Sequence, residues 1–388
     1  MQLLEVEDRR GRAEFVRLPF RLYSRDPYWV PPLRHEQMKM LTPGKHPFHE
    51  HADVKLFLAS DGEGRTLGRI AAMVNHTHNS YHDERTGFFG FIESVHEEEV
   101  FTALLDGASE WLADRGMDRV RGPMNFSTNE ECGMLVKGFA DSPLLMMPYN
   151  PPWYPEMMER AGFEKARDLL AYSVDRYEQD FDRLGRIAKL ASRRSEGVLR
   201  SIDMSALSEE IPRVMDVYNE CWKDNWGFVP MTEAELARLG EELRMILDPR
   251  LAPIIEVGGR PVAFAIALPD ANRALKKAGG SLLRAALALK VPPFKVDIDR
   301  VRILLLGVRK DFRSSGFEAI LINEIVENTL EMGIDRGELS WILEDNVPMR
   351  RVLEKSIGAR QYKTYRIWDR EIEQPRRPVR DSPRTGST

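Results

Sequence analysis

Hydrophobic and polar positions repeat along this chain over a long distance. Residues 64–74 (GRTLGRIAAMV) and 259–269 (GRPVAFAIALP) share a Gly-Arg pair followed by an apolar, strand-like run, 195 positions apart. Two further matches follow in the same order. Arg115-Gly116-Met117-Asp118 corresponds to Met332-Gly333-Ile334-Asp335, each after a helical pattern. Asn150 precedes Gly162 by 12 residues, as Asn346 precedes Gly358, with Pro155 and Pro348 opening a short helix between them. The strands EKARDLLAYSV and RQYKTYRIW come next. Three collinear matches predict a duplicated unit.

Each copy reads helical, three strands, helix, strand, helix, strand. In the second copy, 208–224 and 232–246 read as helices, and IIEV with PVAFAIAL as a hairpin around Gly258-Gly259. VRILLLGV has the unbroken aliphatic run of a strand buried on both faces. Phe317 to Glu331 is a helix stopped by Gly333; ELSWIL is a strand and 348–357 a helix. The fold class is α+β, with a mixed central sheet flanked by helices in each copy. The expected domains are 1–175 and 206–370. Between them lies a charged linker, 176–205, carrying a basic helical piece (RIAKLASRR). In the segment 371–388, the run from Gln374 to Thr388 is nearly devoid of apolar residues and is expected to be a disordered tail.

Composition narrows the function. With 388 residues, 43% of them apolar, and 7 Trp and 17 Phe, the chain has material for packed cores in two or three domains. The net charge of −5, from 56 basic and 61 acidic residues, argues against nucleic acid as partner. Two distant cysteines, Cys132 and Cys221, form neither a disulfide framework nor a zinc ribbon. The start of the chain lacks an apolar signal core, and no run is long enough to span a bilayer. A cytoplasmic protein is expected.

Chemistry concentrates at Gly307-Val308-Arg309-Lys310-Asp311-Phe312-Arg313-Ser314-Ser315-Gly316-Phe317. A buried strand ends, a loop of basic and small residues follows, and a helix begins. The first amides of a helix point outward unpaired and favour phosphate. Gly316 permits close backbone approach, Ser314 and Ser315 donate, and Arg309, Lys310 and Arg313 add charge. An ordinary strand–helix turn with solvated arginines is the alternative.

This loop resembles the Arg/Gln-x-x-Gly-x-Gly/Ala diphosphate loop of the GNAT superfamily of acyl-CoA-dependent N-acyltransferases. The matching residues are Arg313-Ser314-Ser315-Gly316-Phe317-Glu318, with Glu318 departing from Gly or Ala. A second likeness follows: Asn346, then Leu353-Glu354-Lys355 and Gly358, resembles the family's Asn…Tyr-Glu-Lys…Gly segment. The resemblance implies a tandem GNAT fold, acyl-CoA or acetyl-CoA bound by the second copy, and Asn346 beside the pantetheine arm. Leu353 stands where many members have the tyrosine that protonates the thiolate, leaving Tyr362 or Tyr365 as stand-ins. More narrowly, the chain resembles the bacterial ceramide synthase-like branch. RDPYWVPPL, HPFHEHADVKLFLA, GRIAAMVNHTHN, RGPMNFSTNEECG, MMPYNPPWYPEMMERAGF and WKDNWGFVPMT carry this likeness over most of residues 1–370. That branch implies N-acylation of a long-chain sphingoid base.

The GNAT resemblance further implies that two adjacent strands splay around the thioester, with the amides of Leu306, Gly307 and Val308 as donors. Amide formation also needs a base for the amine proton; Glu344, Asp345 and Glu220 are the candidates. The first copy follows its strand GFFGFIES with VHEEEV, whose glutamates repel a diphosphate, so it lacks the phosphate grip. Its polar run from Asn125 to Cys132 is expected either to face the acceptor, with Asn125, Asn129 and Glu130, and Trp222, Asn225 and Trp226 from the second copy, as substrate-binding residues, or to be a buried hydrogen-bonded loop at the domain interface. All eight histidines lie between His35 and His96, in spacings that fit no standard zinc pattern, so no metal is expected. The insertion RALKKAGGSLLRAALALK, over 275–290 in particular, has the pattern of a helix resting on a membrane surface, which would place the protein at the inner face of the membrane. Packing of that helix on its own domain is the alternative. An N-acyltransferase acting on a small or lipidic amine is the leading reading. A long apolar tunnel would favour a lipid acceptor, a short closed one an acetyl donor and a small soluble amine. Binding of CoA without thiol release would mark a non-catalytic CoA-binding protein.

Overall fold

The computed structural model describes residues 1–372 apart from Met245; the tail expected from Gln374 onward lies outside the described residues. The first copy supplies β1 (Gln2–Glu5), β2 (Ala52–Ser60), β3 (Thr66–Asn75), β4 (Thr86–Ser94), β5 (Arg119–Gly122), the short β6 (Met124–Asn125), β7 (Glu131–Cys132) and β8 (Met134–Lys137), and β9 (Glu164–Asp175). The second copy supplies β10 (Val198–Ser201), β11 (Pro253–Val257), β12 (Arg260–Pro269), β13 (Arg300–Val308), β14 (Arg336–Leu343) and β15 (Arg360–Glu371).

All but β6 and β7 join one sheet, in the order β1-β2-β3-β4-β5-β15-β9-β14-β13-β12-β11-β10, with β8 also on β15. The sequence reading gave each copy a sheet of its own; the structure fuses them by exchange. The last strand of the second copy, β15, pairs antiparallel with β5 of the first, and β9 of the first pairs with β14 of the second. β9 and β15 pair with each other at the centre. The segment expected as linker is structured: helix Phe181–Arg194 is followed by β10, an edge strand of the second copy.

Alternating strand residues divide the core between the two faces. On β2, Phe57 and Ala59 meet helix Glu98–Ala113 through Phe101, Leu104 and Leu105, while Leu56 and Leu58 meet helix Arg9–Leu22 through Phe15 and Val16. On β12, Ala263, Ala265 and Ala267 face helix Phe317–Glu331, while Phe264, Ile266 and Leu268 face helix Leu207–Trp222. Small alanines on one side and large residues on the other set how closely each helix approaches.

The same irregularity occurs once per copy. β13 and β14 pair in parallel only from Arg300/Arg336 to Ile303/Leu339, then diverge. β4 and β5 pair only from Thr86/Arg119 to Phe88/Arg121. In each copy the longer strand carries a bulge at the parting. Leu304 is the extra residue opposite Ile266 and Ala267, and β4 has one extra residue between Gly90 and Glu93, opposite Ala71 and Arg69 of β3.

Candidate active site between the two copies

The two partings have different contents. In the first copy the wedge is filled by the hairpin β6–β7. Gly90 lies so close to the Met124 carbonyl that no side chain fits between them, and Asn125 Oδ1 accepts the Phe91 amide at 2.7 Å. Nearly all of β4 is buried as a result. In the second copy the cover is partial: Leu145 and Met146 share a cluster with Leu304 and Leu305, and the Leu145 carbonyl accepts from Arg302. Ile303, Leu304, Leu305 and Leu306 on β13 and Trp341, Ile342 and Leu343 on β14 are only half-buried, although both strands run through the middle of the sheet. Two central strands normally bury such residues completely, so the partial exposure marks an apolar groove.

Beyond the groove, β13 ends and helix Phe317–Glu331 begins at Gly316, whose φ of 74° suits glycine. No side chain caps this helix, and the amides of Gly316 and Phe317 have no acceptor among the described residues. Arg313 and Ser314 are exposed. Helix Phe181–Arg194 brings Ala191 against Gly316, and Gly197 lies against the Phe317 ring. On that segment, Ser195 Oγ is buried without a partner and Arg193 and Arg194 end the helix. Unpaired amides, an orphaned hydroxyl and surrounding cations fit a diphosphate. Glu318 opposes it. Its carboxyl accepts its own amide, and burial pushes its pKa up.

The arginine next in sequence is turned away. Arg309 is buried, pairing with Glu220 and Asp216 and donating to the Pro261 carbonyl at 3.0 Å. This corrects two expectations: Arg309 is not offered to a phosphate, and Glu220 is spent on neutralising it rather than free as a base. Lys310 pairs with Asp224 at 2.6 Å. Glu344 is likewise engaged, 2.7 Å from Lys165 and accepting the Asp168 amide, and Asp345 is 2.6 Å from Arg167. Asn346 caps helix Val347–Arg351 by accepting the Met349 amide. Leu353 is fully buried in the core behind the sheet.

Residues from distant parts of the chain converge in front of the groove. Trp222 stacks on Tyr218 (4.6 Å) and fills the space beside Gly307, where a Cβ would lie 2.7 Å from its ring. The loop after it crosses to the first copy. Thr128 Oγ1 donates to the Gly227 carbonyl, Asn129 Nδ2 to that of Val229, and Tyr218 Oη to Asn129 Oδ1. Trp226 lies between the guanidinium groups of Arg121 and Arg167, 5.1 and 5.5 Å from its ring. Trp226 and Asn225 line a cleft of about 290 Å³ with His78, Tyr81, Glu84 and Arg121. Burial pushes His78 down to about 4, so it is neutral there. Glu130 is held within its own loop, accepting the Phe126 amide at 2.8 Å and lying 2.9 Å from His46 Nε2.

A polar cluster the sequence reading missed lies where β13 and β14 begin to part. Arg302 and Glu338, both almost fully buried, are joined through Ser340. Arg302 Nε donates to Ser340 Oγ at 2.8 Å, and Ser340 Oγ donates to Glu338 Oε1 at 2.6 Å. Arg302 also donates to the Leu145 carbonyl, and Tyr362 Oη donates to Glu338 Oε2. Burial, then the Glu338 charge, raises the Tyr362 pKa strongly. Two donors are left over: Tyr365 Oη and Trp341 Nε1 are buried without partners. Glu131, on β7, comes from the first copy. It is crowded on all sides yet still meets solvent; burial and then Glu130 raise its pKa, while Asn125 and Arg302 oppose. The signal was present in the sequence, since one charged residue interrupts each apolar run, Arg302 in VRILLLGV and Glu338 in ELSWIL. Among the described residues no group of three or more His, Cys, Asp and Glu is placed to hold a metal.

No family model matches the chain. It is 36% identical over 384 residues to a protein of Caulobacter vibrioides named bacterial ceramide synthase, covering 96% of this chain and 98% of that one. This chain belongs to the bacterial ceramide synthase-like branch of the GNAT N-acyltransferases. Protein YghO of Escherichia coli is 34% identical over 364 residues, 92% of each chain. Among solved structures, a tandem GNAT protein from the clavulanic acid biosynthesis pathway aligns over 96% of this chain and 98% of its own, with a TM-score of 0.57 at 12% identity. A GCN5-related N-acetyltransferase from Sphaerobacter thermophilus gives 0.53 at 12% identity over 95% and 96%. These structures share the fold, a tandem GNAT arrangement of α+β class.

Proposed function

We propose that this N-acyltransferase moves an acyl group from acyl-CoA to the amine of a long-chain sphingoid base. Residues 206–370 hold the thioester, and residues 1–175 shape the acceptor side. The observation that carries this reading is the parting of β13 from β14 with half-buried apolar residues on both strands, β13 leading through its loop to the uncapped helix start at Gly316. The name of the Caulobacter relative supports the sphingoid acceptor.

In this reading the amides of Gly316 and Phe317, with Arg313 and Ser314, hold the diphosphate. Leu306, Gly307, Val308 and Asn346 border the thioester arm, and Leu304, Trp341 and Leu343 exclude water from the acyl chain. The bound thioester supplies the carbonyl carbon that the amine attacks. Glu131 takes one proton from the substrate ammonium. After attack, the second nitrogen proton passes to the departing thiolate, directly or through water, and Glu131 returns its proton to solvent. The unpaired donors of Tyr365 and Trp341 suit the hydroxyl oxygens of an amino-alcohol acceptor.

The test is turnover of the full chain with long-chain acyl-CoA and a long-chain amino-diol, scored by free thiol and by amide in mass spectrometry. Acylation of short soluble amines alone, or absence of thiol release with any acyl-CoA, overturns the reading. For Glu131→Gln, kcat should fall roughly a hundredfold with CoA affinity retained. A base must be deprotonated, so wild-type activity should fall as pH drops through the raised Glu131 pKa, a limb the Gln variant should lack. Arg302, Asn125, Glu130, Cys132 and Tyr365 are the groups facing that carboxylate.

A further inference from the structure

The insertion between β12 and β13 folds as helices Asn272–Ala278 and Leu282–Lys290, followed by an extended stretch. Its second helix presents large apolar side chains to the outside at its start. The residues turned to the protein are small, Ala285 and Ala288, at 3% and 2% exposure. Of its four leucines, Leu287 and Leu289 are partly covered, while Leu282 is 52% exposed and Leu283 72%. Val291 and Phe294 just beyond add 40% and 52%. An ordinary surface helix covers its leucines and presents polar residues, so the two outward leucines depart from that pattern. Four large apolar side chains in thirteen residues make a contiguous exposed apolar segment of the kind that marks an interaction surface.

Charge decides the partner. From Ala271 to Val296 the chain carries Arg273, Lys276, Lys277, Arg284, Lys290 and Lys295 and no acidic residue, although the protein as a whole has net charge −5. Arg284, Lys290 and Lys295 are exposed beside the apolar residues. Apolar side chains fringed by cations match an anionic bilayer, where acyl tails accept the former and headgroup phosphates the latter. A second copy of this acidic chain offers no such match on its average surface. The insertion is also tied to the first copy. Asn272 Nδ2 donates to the Pro143 carbonyl at 2.8 Å, and Lys276 Nζ bonds Ser142 Oγ and the Pro27 carbonyl. Two residues along from Pro143, the Leu145 carbonyl accepts from Arg302 on β13.

We infer that Leu282, Leu283, Val291 and Phe294, with Arg284, Lys290 and Lys295, form a docking surface for an anionic lipid bilayer, on the insertion tied to the first-copy loop whose Leu145 carbonyl accepts from Arg302. The surface lets a membrane-embedded amine be taken from the bilayer without crossing water. No helix of the described residues is long and apolar enough to cross a membrane, so the contact is with one face only.

The experiment is co-sedimentation of the full chain with phosphatidylcholine vesicles, with and without phosphatidylglycerol. Binding should require the anionic lipid and weaken as salt is raised. Leu283→Asp combined with Phe294→Asp should reduce the bound fraction roughly tenfold or more while the circular dichroism spectrum is retained. Arg284→Glu with Lys290→Glu is the second variant and should do the same. Neither pair touches the groove, so acylation of a short-chain soluble amine should be unchanged while acylation of a vesicle-borne long-chain amine falls. Failure of the wild type to sediment, or equal sedimentation of both variants, overturns the proposal. A wild-type dimer that Leu283→Asp converts to monomer also overturns it, in favour of a second copy on this surface. Loss of activity toward every amine in the wild type would refute the acyl-transfer reading and leave the vesicle result standing.

Discussion

The parting of β4 from β5 and the parting of β13 from β14 begin as equivalents and end as opposites. Both follow a short parallel ladder and both carry an extra residue in the longer strand. In the first copy, Met124, Asn125 and the loop behind them enter the wedge, and a glutamate-rich helix start follows it. In the second, the wedge is lined by half-buried leucines and a tryptophan and leads to a helix with free amides. Duplication preserved the frame in both copies and the ligand-sized gap in one. In the proposed mechanism the filled copy is not idle, because the hairpin that plugs it also carries Glu131, whose carboxyl feels the Arg302 charge of β13. An inactive wedge has thereby become a wall of the active one.

Several measurements probe that contrast. Filling the second wedge is the most severe. Leu304→Trp places an indole at the bulge and should lower acyl transfer by roughly two to three orders of magnitude with little change in melting temperature. Loosening the first wedge should act on stability instead. Asn125→Ala removes the acceptor of the buried Phe91 amide and should cost about 2 kcal/mol in urea unfolding. At the two helix starts, Arg313→Glu should weaken CoA binding roughly tenfold by calorimetry. Glu98→Arg, at the start of the first-copy helix, should leave CoA binding unchanged. The smallest effect is a gain: Glu318→Ala removes a carboxylate from the anion-binding end of the helix and should tighten CoA roughly threefold. If Glu98→Arg alters CoA affinity while Arg313→Glu does not, the roles of the two copies are reversed.

Local patterns made much of this legible in advance. The run VRILLLGV, the helix from Phe317 to Glu331 and the hairpin at Gly258-Gly259 stand where periodicity and stop residues place them. What escaped depends on partners far away in sequence. Nothing local tells β9 to pair with β14 rather than with β5. The two-residue strands β6 and β7 are too short for a period to register. Arg309 looked like a phosphate ligand because it follows a buried strand. Asp216 and Glu220, one helical turn apart on another element, turn it inward. Glu344 and Asp345 stand at a strand end suited to a base, but Lys165 and Arg167 on β9 reach them only because of the exchange. The branch resemblance pointed to the run Asn125–Cys132, but it did not single out Glu131 within it.

The exchanged strands also bear on how the protein is made. Arg360–Glu371 leaves the ribosome after every other strand of this sheet, yet it occupies the middle of the sheet between β5 and β9. Until it arrives, the earlier half has two unsatisfied strand edges facing one another across an empty lane, a form prone to stick to other chains. Nascent chains stalled before residue 360 should therefore recruit chaperones heavily, and neither half synthesised alone should yield a soluble domain.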